Sequence, residues 1–227
     1  MGKNSKTKRD QKKKKLKKQT SNNAHSSPIF GMPSSLDEMV SMQNELNKLF
    51  SPASLTTPKK IDANIVEFCH QISDFNPIFL NIVPEDWSRQ SCCDLNVQEY
   101  IKVNAGRIIC GYKIWYNEPN YIEGERHAVW QGDDGTLKDI TFNADGEENI
   151  LFIADITEKQ SSLEANKQRI RWCKTEKVKS LIAFQEQTEN FIPTQRMSDE
   201  VAWNTAITYK DWCDGKRMPN QFIKIND

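Results

Sequence analysis

The chain is poor in histidine, with three in 227 residues, and it contains no run of 18 or more apolar residues. The first shortage confines any imidazole chemistry to His25, His70 or His127. The second excludes a membrane-spanning helix. The six cysteines, at positions 69, 92, 93, 110, 173 and 213, lack the regular spacing of a disulfide scaffold, and no C-x-x-C occurs. No apolar stretch follows the basic N-terminus, which excludes a secretory signal. Lys6 stands where a myristoylation signal requires Ser or Thr. These absences lead to the expectation of a cytoplasmic protein with reduced thiols and no membrane contact, or a nuclear one in a eukaryotic host.

What the chain does hold is charge, unevenly placed. Lys+Arg and Asp+Glu both total 31, yet residues 1–20 carry ten basic residues against one Asp, about +9. The remainder is correspondingly about −9, with 21 basic and 30 acidic residues. Hydrophobic content of 37% and a mean hydropathy of −0.72 indicate sizeable solvated segments. Residues 1–35 are expected to be a disordered basic tail, residues 36–60 a short helix and linker, and residues 61–227 an α+β domain. The tail lysines Lys12, Lys13, Lys14, Lys15, Lys17 and Lys18 can attract phosphate backbones without sequence preference. No aromatic is interleaved in residues 1–29, so base stacking is not expected.

Periodicity supplies the elements. Residues 36–50 read as an amphipathic helix capped by Ser35 or Asp37, with Leu36, Met39, Val40, Leu46 and Leu49 on its stripe. A second helix packs Ile65, Phe68, Cys69 and Ile72. A third, over 91–106, is capped by Ser91, lined by Val97, Tyr100 and Ile101, and stopped by Gly106. The period then switches to alternation. "RIICGYKIWY", "YIEGERHAVWQ", "TLKDITF" and "NILFIAD" read as four strands separated by "NEPN", "GDDG" and "NADGEE". Strands so close must pair antiparallel. "SSLEANKQRIRWCKTEK" opens with Ser161 and Glu164 in capping-box spacing and reads as a helix. Residues 198–215, capped by Ser198, read as another. The expected fold class is α+β, with helices flanking a central antiparallel meander of about four strands.

One constellation carries chemistry. A thiol at a helix start is acidified by free backbone N–H groups and the helix dipole, and Cys92 and Cys93 both follow Ser91. An imidazole on a neighbouring strand can take the thiol proton, and a carboxylate one strand further can hold the other ring nitrogen. Across "GDDG", pairing Gln131 with Gly135 sets His127 opposite Asp139; pairing it with Thr136 sets His127 opposite Ile140 and turns Asp139 away.

The run Cys93-x-x-Asn96-Val97, Gly111-x-x-Ile114-Trp115, His127-Ala-Val-Trp130 and Asp139-Ile-Thr141 resembles the transglutaminase-like and papain-like cysteine superfamily, and bacterial and phage proteins of that shape. The likeness spans about residues 90–155. It implies a papain-like core with Cys93 as nucleophile (Cys92 the alternate), His127 as base, Asp139 as orienter and Gln90 as a candidate oxyanion donor. The implied reaction is acyl transfer or hydrolysis of an amide, ester or peptide through a thioester, without metal or other cofactor. No Pro follows Asp139 as transglutaminase cores often have.

Each residue also has a plainer role. A cysteine is most often a buried small hydrophobe. Glu125 shares the His127 face and is either a spare orienter or a solvated glutamate. Trp115 and Trp130 either wall a cleft or fill the core. Zinc on Cys69, Cys92, Cys93 and His127 is not expected, because adjacent Cys/His pairs diverge too far for tetrahedral chelation. Two readings result: a Cys-His-Asp hydrolase or acyltransferase, and a non-enzymatic binding module tethered to nucleic acid by its tail.

Overall fold

The computed structural model describes residues 33–155, 168–191 and 197–218. The lysines at 12–18 and the Ser161/Glu164 capping box lie outside the described residues.

Helix α1 (Leu36–Leu49) is capped by Ser35, whose side chain accepts from the Glu38 N–H. Leu46 and Leu49 bury against Tyr121 and against Val178, Leu181, Ile182 and Phe184. The first half of its stripe (Leu36, Met39 and Val40) stays exposed. Helix α2 (Ala63–His70) is capped by Asp62. It buries Ile65, Phe68 and Cys69 against Tyr112, Ile114, Ile122, Leu151 and Ile153, and Ile72 packs alongside.

The sheet comprises β1 (Ile78–Asn81), β2 (Arg107–Asn117), β3 (Tyr121–Gln131), β4 (Leu137–Lys138), β5 (Asn149–Ala154) and β6 (Arg169–Cys173). Its order is β1-β5-β2-β3-β4, with β6 also pairing β3, and every pair is antiparallel. The protein is therefore α+β, with an open six-stranded sheet and several helices.

This corrects the four-strand meander. β5 does not follow β4 in space but returns to lie between β1 and β2. The reason lies in its composition: "NILFIA" is apolar without alternation, and four consecutive residues are buried, as suits a central strand covered on both faces. "RIRWC" is a strand rather than part of a helix. Its alternation sends Ile170 and Trp172 to the core and places Arg171 opposite Glu123 on β3. Helix α4 (Glu176–Phe191) follows. The single helix expected over 198–215 is two short ones, α5 (Asp199–Thr205) and α6 (Tyr209–Cys213), because Ala206 turns extended and Thr208 caps anew. No helix among the described residues is long and apolar enough to cross a membrane.

Strands β2 and β3 form one continuous ladder from Arg107↔Gln131 to Asn117↔Tyr121, which sets Gly111 opposite His127. A Cβ on Gly111 would stand 2.1 Å from the Ile153 carbonyl oxygen and 2.7 Å from Phe152. The first of these is backbone and cannot swing aside. Gly111→Ala is expected to cost about 3 kcal/mol, the upper end for overpacking. Thermal unfolding should register this as a fall of roughly 6–12 °C.

Candidate active site

Helix α3 (Cys93–Asn104) packs Val97 and Tyr100 against Trp130 and Ile140. The Tyr100 and Trp130 rings meet edge-on at 5.3 Å, and the Trp130 indole donates to the Ala105 carbonyl at 2.8 Å. Trp130 is thus core, and it anchors the far end of the cysteine helix to the histidine strand. The helix start differs from expectation. Ser91 is not the cap: it adopts a left-handed φ of 59°, and Cys92 takes the N-cap position without a side-chain capping bond. This conformation is uncommon for a residue with a Cβ. Being one residue too early, the Ser91 hydroxyl leaves the first turn uncapped from outside the helix.

The register across "GDDG" also differs. Gln131 pairs with Leu137 and Trp130 with Lys138, so both anticipated registers are corrected. Residues 132–136 make a longer loop, closed by Gly132 N–H to the Thr136 carbonyl at 2.9 Å. Extended by one residue, this register would put Asp139 level with Val129. The chain instead leaves β4, and Asp139 bridges to Ile82. The shift relative to the triad register is two residues, and an even shift keeps a side chain on its face. His127 Nε2 accordingly meets Asp139 Oδ2 at 2.9 Å.

The Cys93 thiol hydrogen-bonds the same imidazole. All three residues are buried: Cys93 is 8%, His127 5% and Asp139 0% exposed. Burial by itself opposes charge on His127, but the neighbouring Asp139 and Cys93 charges and hydrogen bonds outweigh it and raise the imidazole to about 10. These neighbours favour the protonated ring. Cys92 differs: burial foremost, then the nearby Cys93 and Asp94 charges, push its thiol up to about 11. All six cysteines are outside disulfides.

Gln90 lies in the turn before the helix, with its backbone N–H donating to the Ile207 carbonyl at 3.1 Å. The same stretch is fastened by Tyr209 N–H to Ser88 and Lys210 N–H to Asp86, so the C-terminal helices overlie it. Glu125 does not reach the Asp139 side of the ring; it accepts from the Trp115 indole at 3.1 Å and lies 3.8 Å from Lys113. A cleft of about 590 Å³ along β1, lined in part by Thr57, Phe79, Asn81 and Glu148, contains none of the three residues. Among the described residues, no group of three or more His, Cys, Asp or Glu could hold a metal ion.

Two residues with no role assigned from sequence complete the surroundings. Asn96 and Thr141, both buried, hydrogen-bond to each other at 3.0 Å. An asparagine inside a helix, three residues after a candidate nucleophile, was the available signal, since i and i+3 share a helix face. Comparison with protein-family models, curated proteins and solved structures gives no match to this chain.

Proposed function

We propose that the protein is a Cys-His-Asp hydrolase or acyltransferase acting on amide, ester or peptide bonds, with a papain- or transglutaminase-like core and a place in a reducing compartment such as the cytoplasm. The observation that carries the reading is one buried imidazole bonded to Asp139 through Nε2 and in hydrogen-bond and charge contact with Cys93. In this arrangement the proton rests on His127 and the sulfur is a thiolate. The Cys93 sulfur attacks the carbonyl carbon, and the backbone N–H groups of the α3 start stabilise the developing oxyanion, with the Gln90 side-chain amide as a further candidate donor. The bond to the leaving nitrogen or oxygen breaks as His127 protonates that atom, leaving a thioester. His127, now neutral, takes a proton from water or an acceptor amine, whose attack breaks the C–S bond and restores the ion pair. Asp139 fixes ring orientation throughout.

A thiol-directed activity probe tests this. Labelling should disappear in Cys93→Ala with Cys92 intact; labelling that survives there removes Cys93 as nucleophile.

The charge asymmetry favours a second reading, a binding module whose tail lysines contact nucleic acid. Deleting residues 1–20 should abolish retention on a nucleic-acid column at low salt and change little at high salt. Equal retention at low salt excludes it.

A further inference from the structure

Resting on the Cys-His-Asp reading, we propose that Asn96 is a positioning residue which, through Thr141, locks the turn bearing the nucleophile to the segment bearing the orienting carboxylate. Cys93 and Asp139 come from parts of the chain 46 residues apart, and neither is set by the continuous β2–β3 ladder that places His127. Their relative position needs a separate device. The Asn96 amide spans the gap with every polar atom used. Its Oδ1 accepts from the Arg89 N–H at 2.7 Å, and its Nδ2 donates to the Arg89 carbonyl at 2.8 Å and to the Thr141 hydroxyl at 3.0 Å.

Arg89 begins the tight stretch that ends at Cys93. Two backbone bonds to a single rigid amide fix that stretch in the manner of a local β-pair. Thr141 in turn donates its backbone N–H to Asp139 Oδ1 at 2.9 Å, on the carboxylate whose other oxygen holds His127. An unbroken path therefore runs from the nucleophile turn through Asn96, Thr141 and Asp139 to the imidazole. Asn96 itself is 0% exposed, and its own N–H bonds the Cys92 carbonyl at 2.8 Å in the first turn of α3. Only an amide supplies one acceptor and two donors in this plane. Aspartate lacks both donors, and alanine lacks all three groups.

Thr141→Val tests the link, because it removes only the hydroxyl acceptor and leaves the backbone bond to Asp139 and the Asn96–Arg89 clamp intact. The measurement is the rate of iodoacetamide alkylation of Cys93 in the full chain from pH 5 to 10, resolved from Cys92 by peptide fragmentation. Thr141→Val should move the acid limb to higher pH by about one unit and slow alkylation at pH 5 about threefold. Thr141→Ser should restore the wild-type profile. Asn96→Asp, which keeps the acceptor for Arg89 N–H, should shift the limb in the same direction and supplies the test from the other end should Thr141→Val unfold. A wild-type limb in folded Thr141→Val or Asn96→Asp, alongside a lost limb in His127→Ala, would overturn the positioning role while leaving the triad standing. A wild-type limb in His127→Ala would overturn the triad reading itself.

Discussion

Replacing His127 with alanine is expected to slow alkylation of Cys93 near pH 6 by roughly tenfold. A thiol beside an imidazolium ionises about 3 units below a free one. Near pH 6 that difference changes the thiolate fraction by roughly 250-fold, since the lowered thiol is already mostly ionised there, and the greater nucleophilicity of the more basic thiolate returns about 20-fold. The rate should then climb steadily with pH in the variant, while the wild type is flat above its acid limb. Cys92, pushed to about 11 by burial, serves as the internal control and should stay slow in both proteins.

The same substitution carries a pH signature in stability. The folded His127 is raised from 6.5 to about 10, and in the ion pair its proton is the one Cys93 gives up. Folded and unfolded states therefore bind equal numbers of protons until the unfolded thiol ionises near about 8.5. The contribution of the pair holds from about 6.5 to about 8.5 and is lost as pH rises from there through about 10. The stability gap between wild type and His127→Ala should stay level over the first interval and narrow over the second in chemical denaturation. A gap that widens above about 8.5 contradicts an imidazolium in the folded protein.

Asp139→Asn is expected to lower probe labelling by about 100-fold or more and to lower the unfolding temperature by roughly 2–12 °C. Here both carboxylate oxygens are acceptors: Oδ2 for the His127 ring and Oδ1 for the Thr141 N–H, each at 2.9 Å. An amide has a single acceptor, so in either orientation its NH₂ confronts a buried N–H. Leaving one such donor unsatisfied costs about 1–3 kcal/mol, and at roughly 2–4 °C per kcal/mol in a domain of this size the stated range follows. Losing the negative charge also weakens the support for the imidazolium. Wild-type labelling and unfolding temperature in Asp139→Asn would show that Asp139 neither orients the ring nor matters to the segment.

The C-terminal helices illustrate how a local pattern can be right in chemistry and wrong in extent. Ser198 does cap α5, as its spacing from Val201 requires. The break at Ala206 has no Gly or Pro to announce it; it arises where Ala206 and Ile207 give their carbonyls to Arg89 and Gln90 instead of continuing the helix. Similarly, "TLKDITF" alternates like a strand, yet only Leu137 and Lys138 pair with β3, because Asp139 is captured by the end of β1. Distant backbone partners won in both places.

Local chemistry in the sequence determined the cap at Ser198, a cap at Ser35 or Asp37 for the first helix, the long β2–β3 hairpin, the existence of a helix carrying Cys93, and the residue types able to form a cysteine triad. Each depends on neighbours within a few residues, where propensity and periodicity act. Tertiary structure alone decided that β5 sits between β1 and β2, and that Ser91 is a left-handed turn residue rather than a cap. It alone decided that Asp139 reaches His127 from a register two residues away from the expected one. It also decided that Asn96 and Thr141 join the two halves of the site. Those outcomes depend on which buried polar groups find partners across long separations in the chain, and that pairing is settled only when the core closes around them.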